Sequence, residues 1–438
     1  MRRRTLLGSG GVLLTGGCLR LEEIATQDTN SAATGEETDE PSETAESDGS
    51  EDTEPPDAND SETEEDGGDT NDSEAEEDDS EPPAVIGTWP QFGNDAANTG
   101  VISGAGVTEK ELQWTHNYGV GGEAGGPILA DGKVIVNGVT ALKPQTGDVL
   151  WESPFTGFRP TPAYADGLVF AGNDSALAAL NADTGEIAWH QSFETYGVTV
   201  ADDLLYARGR DTVAAFDFSG MERWRAQTPG EYRARHEPAV GDGLVCVTVF
   251  HTEGTPGDGQ LIAFDAESGA QQWVYEIGAT AKFAPTIANG KVFFGGRNST
   301  IHAVDAADGS LDWTHETDRW VETSPAVADG VVYAGNGSGQ IVGAEVETGD
   351  RVYEATNSGI QRYKGGIAIA DTVIYGVGDH GALTANDLES GELLWYHDMT
   401  RVSPQQQWPA PGDGYVFCAD GTGTAYAFGS QPGDDAGR

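Results

Sequence analysis

The sequence predicts an all-β fold, an eight-bladed β-propeller over residues 84–430 whose N-terminal strand closes the last blade. Three observations predict it. A turn of the Asp-Gly kind recurs eight times, an aromatic residue ends each repeat eight times, and the two ends of the array are incomplete in complementary ways. A period near 40 residues with tight turns and one aromatic per unit marks four-stranded sheets repeated around an axis. With 61 Gly, 20 Pro and 3 Met in 438 residues, the composition is that of a turn-rich and strand-rich chain.

The turns are Asp131-Gly132, Asp166-Gly167, Asp202-Asp203, Asp242-Gly243, Asn289-Gly290, Asp329-Gly330, Asp371-Thr372 and Asp413-Gly414. Such pairs suit a two-residue hairpin, because both central residues tolerate positive φ. The closing aromatics are Trp114, Trp151, Trp189, Trp224, Trp273, Trp313, Tyr353 and Trp395, spaced 37, 38, 35, 49, 40, 40 and 42 residues apart. Each unit reads as four strands: a Pro-Ala-Val stretch, a run after Asp-Gly such as VVYAG from Val331, an Ala-Leu-Asp stretch, and a strand carrying the Trp. An Asp or Asn four residues before the Thr-Gly turn is placed to brace it. A large ring at the end of each unit fills the wedge between neighbouring sheets.

The last unit runs through Ala427-Phe428 and stops without a Trp strand, while Trp114 precedes the first Asp-Gly unit. The strand around Leu112-Gln113-Trp114 is therefore expected to complete the eighth blade, which removes the open sheet edges. No helical domain is expected within 84–430.

Ahead of the propeller, residues 1–18 read as an export signal, basic and then apolar, too short to span a bilayer. Arg3-Arg4-Thr5-Leu6-Leu7 resembles a twin-arginine signal, and Thr15-Gly16-Gly17-Cys18 resembles a lipobox with Cys18 as the lipidation site. A secretory signal with an incidental Cys is the plainer alternative. Residues 19–83 form an acidic stalk. Between 22 and 83 the net charge is −27 with no Lys or Arg and almost no large apolar residue, so the segment is expected to be disordered and extended. Residues 431–438 are expected to be a disordered tail. Asn59-Asp60-Ser61 and Asn71-Asp72-Ser73 are glycosylation sequons.

The net charge is −50, and beyond residue 83 the chain carries 46 Asp and Glu against 19 Lys and Arg. This charge repels nucleic acid and anionic lipid surfaces. It fits molar salt, where the Debye length falls to roughly 3 Å, and points to a halophilic archaeon. Membrane attachment by a lipid anchor alone, on the extracellular face of the cytoplasmic membrane, is the expected location.

The run Ala-x-Asp-x-x-Thr-Gly-x-x-x-Trp, as in the segments ending at Trp189 and Trp313, is similar to the repeat of pyrroloquinoline quinone-binding propellers. The opening WPQFGNDAANTG (Trp89–Gly100) looks like the lead-in before such propellers. The resemblance implies either a quinoprotein dehydrogenase, holding the quinone and Ca²⁺ to oxidise an alcohol or sugar, or a non-catalytic relative. Alcohol-oxidising members carry an adjacent Cys pair. Here Cys246 and Cys418 stand alone in separate strands, too far apart around the ring for a disulfide, and read as buried strand residues. No cofactor is expected; quinone and calcium enter only if the protein is a dehydrogenase.

Other motifs resolve into structure. The glycine pattern at Gly376-Val377-Gly378-Asp379-His380-Gly381 is followed by no helical segment and falls in register with hairpin tips. His116, His190, His315 and His397 each follow a closing Trp and are spread around the ring, so no metal site is expected. The repeated Asp and Thr-Gly pairs are turn chemistry.

Candidate binding residues gather in the loops leading into each first strand. Arg159, Arg235, Lys282 and Lys364 hold one repeat-equivalent position, with Arg208, Arg210 and Arg297 on nearby hairpin tips. Trp320, Tyr363 and Trp408 lie in the same loops and close no blade. Arginine suits carboxylates and phosphates through paired hydrogen bonds, and exposed Trp adds contact area. Pairing of these cations with neighbouring carboxylates is the competing reading. The expected function is a non-catalytic, monomeric cell-surface platform for envelope or membrane proteins or a small anionic ligand. A quinone-dependent dehydrogenase is the alternative.

Overall fold

The computed structural model describes residues 87–119, 125–137, 139–155, 160–229, 232–233, 236–251, 259–379, 381–399, 408–412 and 414–429. The export signal, Cys18, the stalk, both sequons and the C-terminal tail lie outside the described residues.

Eight sheets form, each built on four antiparallel strands, and the short strands Val101–Ile102 and Thr323–Ser324 add to the blade-7 sheet in parallel. Blade 1 pairs Ile128–Ala130, Lys133–Val136, Thr140–Leu142 and Val149–Glu152, and the later blades repeat the plan. First strands of neighbouring blades lie against one another, so they form the inner wall and the Trp strands the rim. Among the described residues there is no helix. Asp131 and Gly132 take φ of 51° and 68°, and the Asn289-Gly290 turn matches at 54° and 71°. The turns without Gly, at Asp202 and Asp371, keep positive φ only at the first residue.

In every blade the register slips by one residue between the third and fourth strands. Ala215 faces Trp224, for example, while Phe216 faces Glu222. Such a bulge bends the strand and re-aims the side chains around it. The indole then reaches the next blade. Trp151 Nε1 donates to Ala182 O at 2.8 Å, Trp273 Nε1 to Ala306 O at 2.9 Å and Trp313 Nε1 to Val346 O at 2.8 Å. Tyr353 makes the same link with its hydroxyl, 3.1 Å from Asp387 O. A side chain at Gly185, in the Thr-Gly turn of blade 2, would put its Cβ 2.5 Å from the Trp151 ring. The glycine thus serves the neighbouring blade as well as its own turn.

Closure follows the expected route. Leu112–Asn117 pairs with Thr424–Gly429, Trp114 opposite Ala427, and makes the fourth strand of blade 8. Trp395 donates to Val107 O at 2.8 Å, so the N-terminal segment also stands in for the turn that blade 8 lacks.

The lead-in does more than precede the propeller. From Trp89 to Ala105 it visits the blades in order. Trp89 and Leu129 exchange two 2.8 Å hydrogen bonds, Tyr164 N donates to Pro90 O at 2.8 Å, and the Gln91 amide bonds both ways with Val200. Val240, Ile287, Val327 and Ile369 then donate to Ala96, Ala97, Thr99 and Gly100, and Gly414 of blade 8 donates to Ala105. In blades 1 to 7 the partner is always the residue two before the first turn residue. The inner strands would otherwise carry unpaired N–H groups along the channel. Trp89, Gln91, Phe92 and Asn98 are buried, and Asn98 Nδ2 reaches Pro238 O and Pro285 O at 3.4 and 3.0 Å. The segment plugs the channel from the Asp-Gly end.

Candidate functional site

The lead-in covers the Asp-Gly end, and the opposite end is where the chain enters each first strand. Just beneath it Glu237 of blade 4 crosses to blade 2, where its Oε1 accepts from Thr161 N at 3.0 Å. Its Oε2 is buried without a partner, and burial pushes the carboxyl up to about 7.

Above it blades 4 to 7 converge on a cleft of about 30 Å³ lined by His236, Lys282, Phe283, Arg297, Glu322 and Lys364. Glu322 is the organiser. It is 2% exposed, and Arg297 grips its Oε1 through Nε and Nη2 at 2.8 and 2.5 Å. Arg362 lies 3.7 Å from its Oε2 and hydrogen-bonds Asp379 Oδ2 through Nε and Nη2 at 3.1 and 3.0 Å. The Arg297 guanidinium also sits 4.9 Å from the Trp320 ring centre, a cation–π contact on a ring that is 41% exposed. Lys282 Nζ lies 5.5 Å over the Phe250 ring, and His236 stacks on Phe283 at 4.9 Å. Lys364 is held below the usual lysine range, first by burial and then by Arg362 and Arg297, against the pull of Glu322 and Asp379.

Arg297 and Arg362 are paired with carboxylates, as is Arg210, which grips Glu194 at 2.9 and 3.1 Å. Among the described residues, basic side chains of blades 5 and 7, Lys282, Arg297, Arg362 and Lys364, thus converge on Glu322 of blade 6, and Arg362 also holds Asp379. Lys282 and Lys364 come from one repeat-equivalent position and meet at one cleft. Arg159 and Arg235, which share that position, lie outside the described residues.

Three expectations need correction. Trp408 is 1% exposed, not part of an open surface: it packs edge-on against Phe92 of the plug at 4.1 Å and covers Gly366. A Cβ at Gly366 would fall 1.8 Å from its ring, so the bare glycine makes the space for it. Tyr363 is also fully buried, its hydroxyl 3.0 Å from Thr384 Oγ1. Arg208, assigned to an exposed tip, is fully buried, donates to Thr212 O and Thr228 Oγ1, and is lowered to about 9 by burial. Glu322 holds the same repeat-equivalent position as Lys282 and Lys364 but was not singled out as a site residue, and Glu237 was missed, because an acid in an acidic chain does not stand out. Cys246 and Cys418 are buried free thiols, as expected.

Comparison with known proteins follows this geometry. A sequence model of the family described as outer membrane protein assembly factor BamB matches residues 98–196 and 173–395. The assembly factor BamB of Yersinia pestis is 26% identical over 265 residues, 55% of this chain and 57% of that protein. Its counterpart from Burkholderia pseudomallei is 26% identical over 262 residues, 55% of this chain and 65% of that protein. The matched region thus spans less than two thirds of either relative. Among solved structures, quinohemoprotein alcohol dehydrogenase from Comamonas testosteroni aligns over 79% of this chain and 81% of its own, with TM-score 0.64 and 15% identity. A europium-containing methanol dehydrogenase aligns over 78% of this chain and 98% of its own, with TM-score 0.62 and 13% identity. At such identities the likeness is one of fold. The family match spans most of the propeller, and the chain belongs to the BamB family of pyrroloquinoline quinone-like eight-bladed propellers.

Proposed function

We propose that the protein is a non-catalytic propeller that captures an acidic partner or small anionic ligand at its basic mouth. The observation that carries this reading is the convergence of Lys282, Arg297, Arg362 and Lys364 on one cleft, with both arginines held by carboxylates before any ligand arrives. Arginines gripped by a buried carboxylate are already ordered, so capture costs less side-chain entropy. The cleft, at about 30 Å³, is small beside the roughly 300–1,000 Å³ of pockets that enclose drug-sized molecules. That favours surface recognition over enclosure of a quinone. The relatives' name, an assembly factor for outer membrane proteins, supports a protein-handling role. Attachment through lipidated Cys18 on the outer side of the cytoplasmic membrane belongs to the same proposal. No helix among the described residues is long and apolar enough to cross a membrane.

The test is cross-linking and capture from membranes of the source cells by the full chain, alongside binding of a polyglutamate peptide. Lys282→Glu with Lys364→Glu is expected to abolish both signals. Lys133→Glu with Lys291→Glu, on the closed face, is expected to leave both intact. Equal retention by the two double variants overturns the reading, as would dye reduction that depends on added pyrroloquinoline quinone and calcium. For the anchor, Cys18→Ser is expected to release the protein from membranes or leave it unprocessed. Recovery of the wild type wholly in the medium would refute lipidation.

A further inference from the structure

Among the described residues Trp320 is the only exposed tryptophan, and its place at the mouth is fixed from two sides. It belongs to the loop joining blades 5 and 6. Thr317 N donates to Ser299 O at 2.8 Å and Val321 N to Gly296 O at 3.1 Å, both on the blade-5 hairpin tip. From the blade-6 tip Gly337 N donates to Trp320 O at 2.7 Å. A Cβ at Gly337 would fall 3.2 Å from Arg319 Cβ, so the bare glycine lets the loop lie close. The backbone is thus strapped to two blades while the indole stays in solvent. A ring on a fixed backbone loses less freedom when something packs on it.

Arg297 joins this ring to the cleft. Its guanidinium lies 4.9 Å from the ring centre, and its Nε and Nη2 both bond Glu322 Oε1, which leaves Nη1 on a side chain that is 37% exposed. Lys282 and Lys364 line the same cleft of about 30 Å³. A single water needs at least roughly 10–15 Å³, so the cleft has room for one carboxylate and none for a ring. Asp318 and Arg319, exposed beside Trp320, carry opposite charges and leave the loop neutral. Beyond residue 83 the chain carries 46 Asp and Glu against 19 Lys and Arg, so an acidic partner is repelled by most of the surface. Salt weakens that repulsion and the pairing at the cleft together. Apolar contact with Trp320 is not screened and adds affinity that charge does not supply.

We infer that the mouth recognises a two-part motif on a partner protein, a carboxylate that enters the cleft and an aromatic side chain that packs on Trp320. The inference rests on the reading of the mouth as an anion-capturing surface and adds the class of partner. Residues two apart in an extended segment share a face and lie about 7 Å from one another. The reach here is comparable, 4.9 Å from ring to guanidinium and then a hydrogen bond of about 2.9 Å. The motif is therefore an acid and an aromatic two residues apart, in either order.

Fluorescence anisotropy with the full chain tests this, using labelled peptides that carry Phe-Gly-Glu-Gly-Phe, Ala-Gly-Glu-Gly-Ala or Phe-Gly-Gln-Gly-Phe, with polyglutamate alongside. The first peptide is expected to bind about five- to tenfold tighter than the second, the worth of one aromatic pair. The glutamine peptide should bind at least about tenfold more weakly than the first, having lost its charge-assisted hydrogen bonds. Trp320→Ala should erase the preference for the aromatic peptide and leave polyglutamate binding nearly unchanged. As a surface substitution it should keep the wild-type melting temperature within a few degrees; if it does not, Trp320→Gln replaces it. Raising the salt from about 0.1 to 1 M should weaken polyglutamate binding more than it weakens the aromatic preference. If the wild type does not bind polyglutamate, the capture reading fails and takes this inference with it. If it binds polyglutamate but shows no aromatic preference, this inference alone falls. A preference that survives the Trp320 variants, or a glutamine peptide that binds as well as the glutamate one, also overturns it.

Discussion

The two ends of this propeller are built on opposite principles. At the closed end blades 1 to 7 present the same acceptor-seeking N–H two residues before the turn, and one strip of chain satisfies them in sequence. At the mouth the described blades differ in what they bury: Glu322 gathers Arg297 and Arg362, Trp408 turns inward onto Gly366, and Glu237 reaches beneath to blade 2. Regularity at one end lets seventeen residues, 89 to 105, cover the whole channel. Irregularity at the other leaves room for specific chemistry. The ring is thus fastened from one side and free to vary on the other.

The largest expected effect sharpens this contrast. Removing residues 84–118 deletes both plug and closing strand and should abolish cooperative thermal unfolding, whereas removing 22–75 should leave it nearly unchanged. Trp89→Ala alone should cost about 3–5 kcal/mol, the usual loss for a buried aromatic. Equal losses from the two deletions would mean the lead-in fastens nothing.

The mouth should show a pH dependence centred on Glu237. Glu237 is raised from 4.5 to about 7 by burial, so between these values the folded state holds a proton that the unfolded chain releases. Below pH 4.5 both states are protonated and there is no penalty. Stability should therefore fall as pH rises through this window, by roughly 3 kcal/mol if the shift is fully expressed. Denaturant titrations of wild type and Glu237→Gln should diverge across it. Parallel curves would show that the carboxyl does not carry the linkage.

Glu322→Gln comes next, at about 1–3 kcal/mol, because it leaves Arg297 and Arg362 without their shared counter-charge. Polyglutamate binding should become weaker as those arginines lose their fixed positions. The smallest effect belongs to the closed face. Lys133 bridges Asp131 and Asp183 at 2.7 and 3.1 Å at the surface, and Lys133→Ala should cost less than about 1 kcal/mol in low salt and less still in molar salt. A larger cost would break the view that this face is held by the plug rather than by its charges.

The blade count, the turns and the closing strand were legible in the sequence, because each rests on a requirement met within a few residues. Asp131-Gly132 must take positive φ, Asp265 must brace Gly269 from four positions away, and a last repeat that stops after Phe428 without a Trp strand must borrow one. Repeat register likewise foretold that Lys282 and Lys364 share a layer, since equivalent positions in a radial fold meet around the axis. Tertiary structure alone decided what those loops bury. Trp408 is covered because Phe92, more than 300 residues earlier, arrives against it, and Glu237 is desolvated because Thr161 meets it across the channel. Side-chain exposure in a loop depends on which distant segment packs there, and local composition does not encode that arrival.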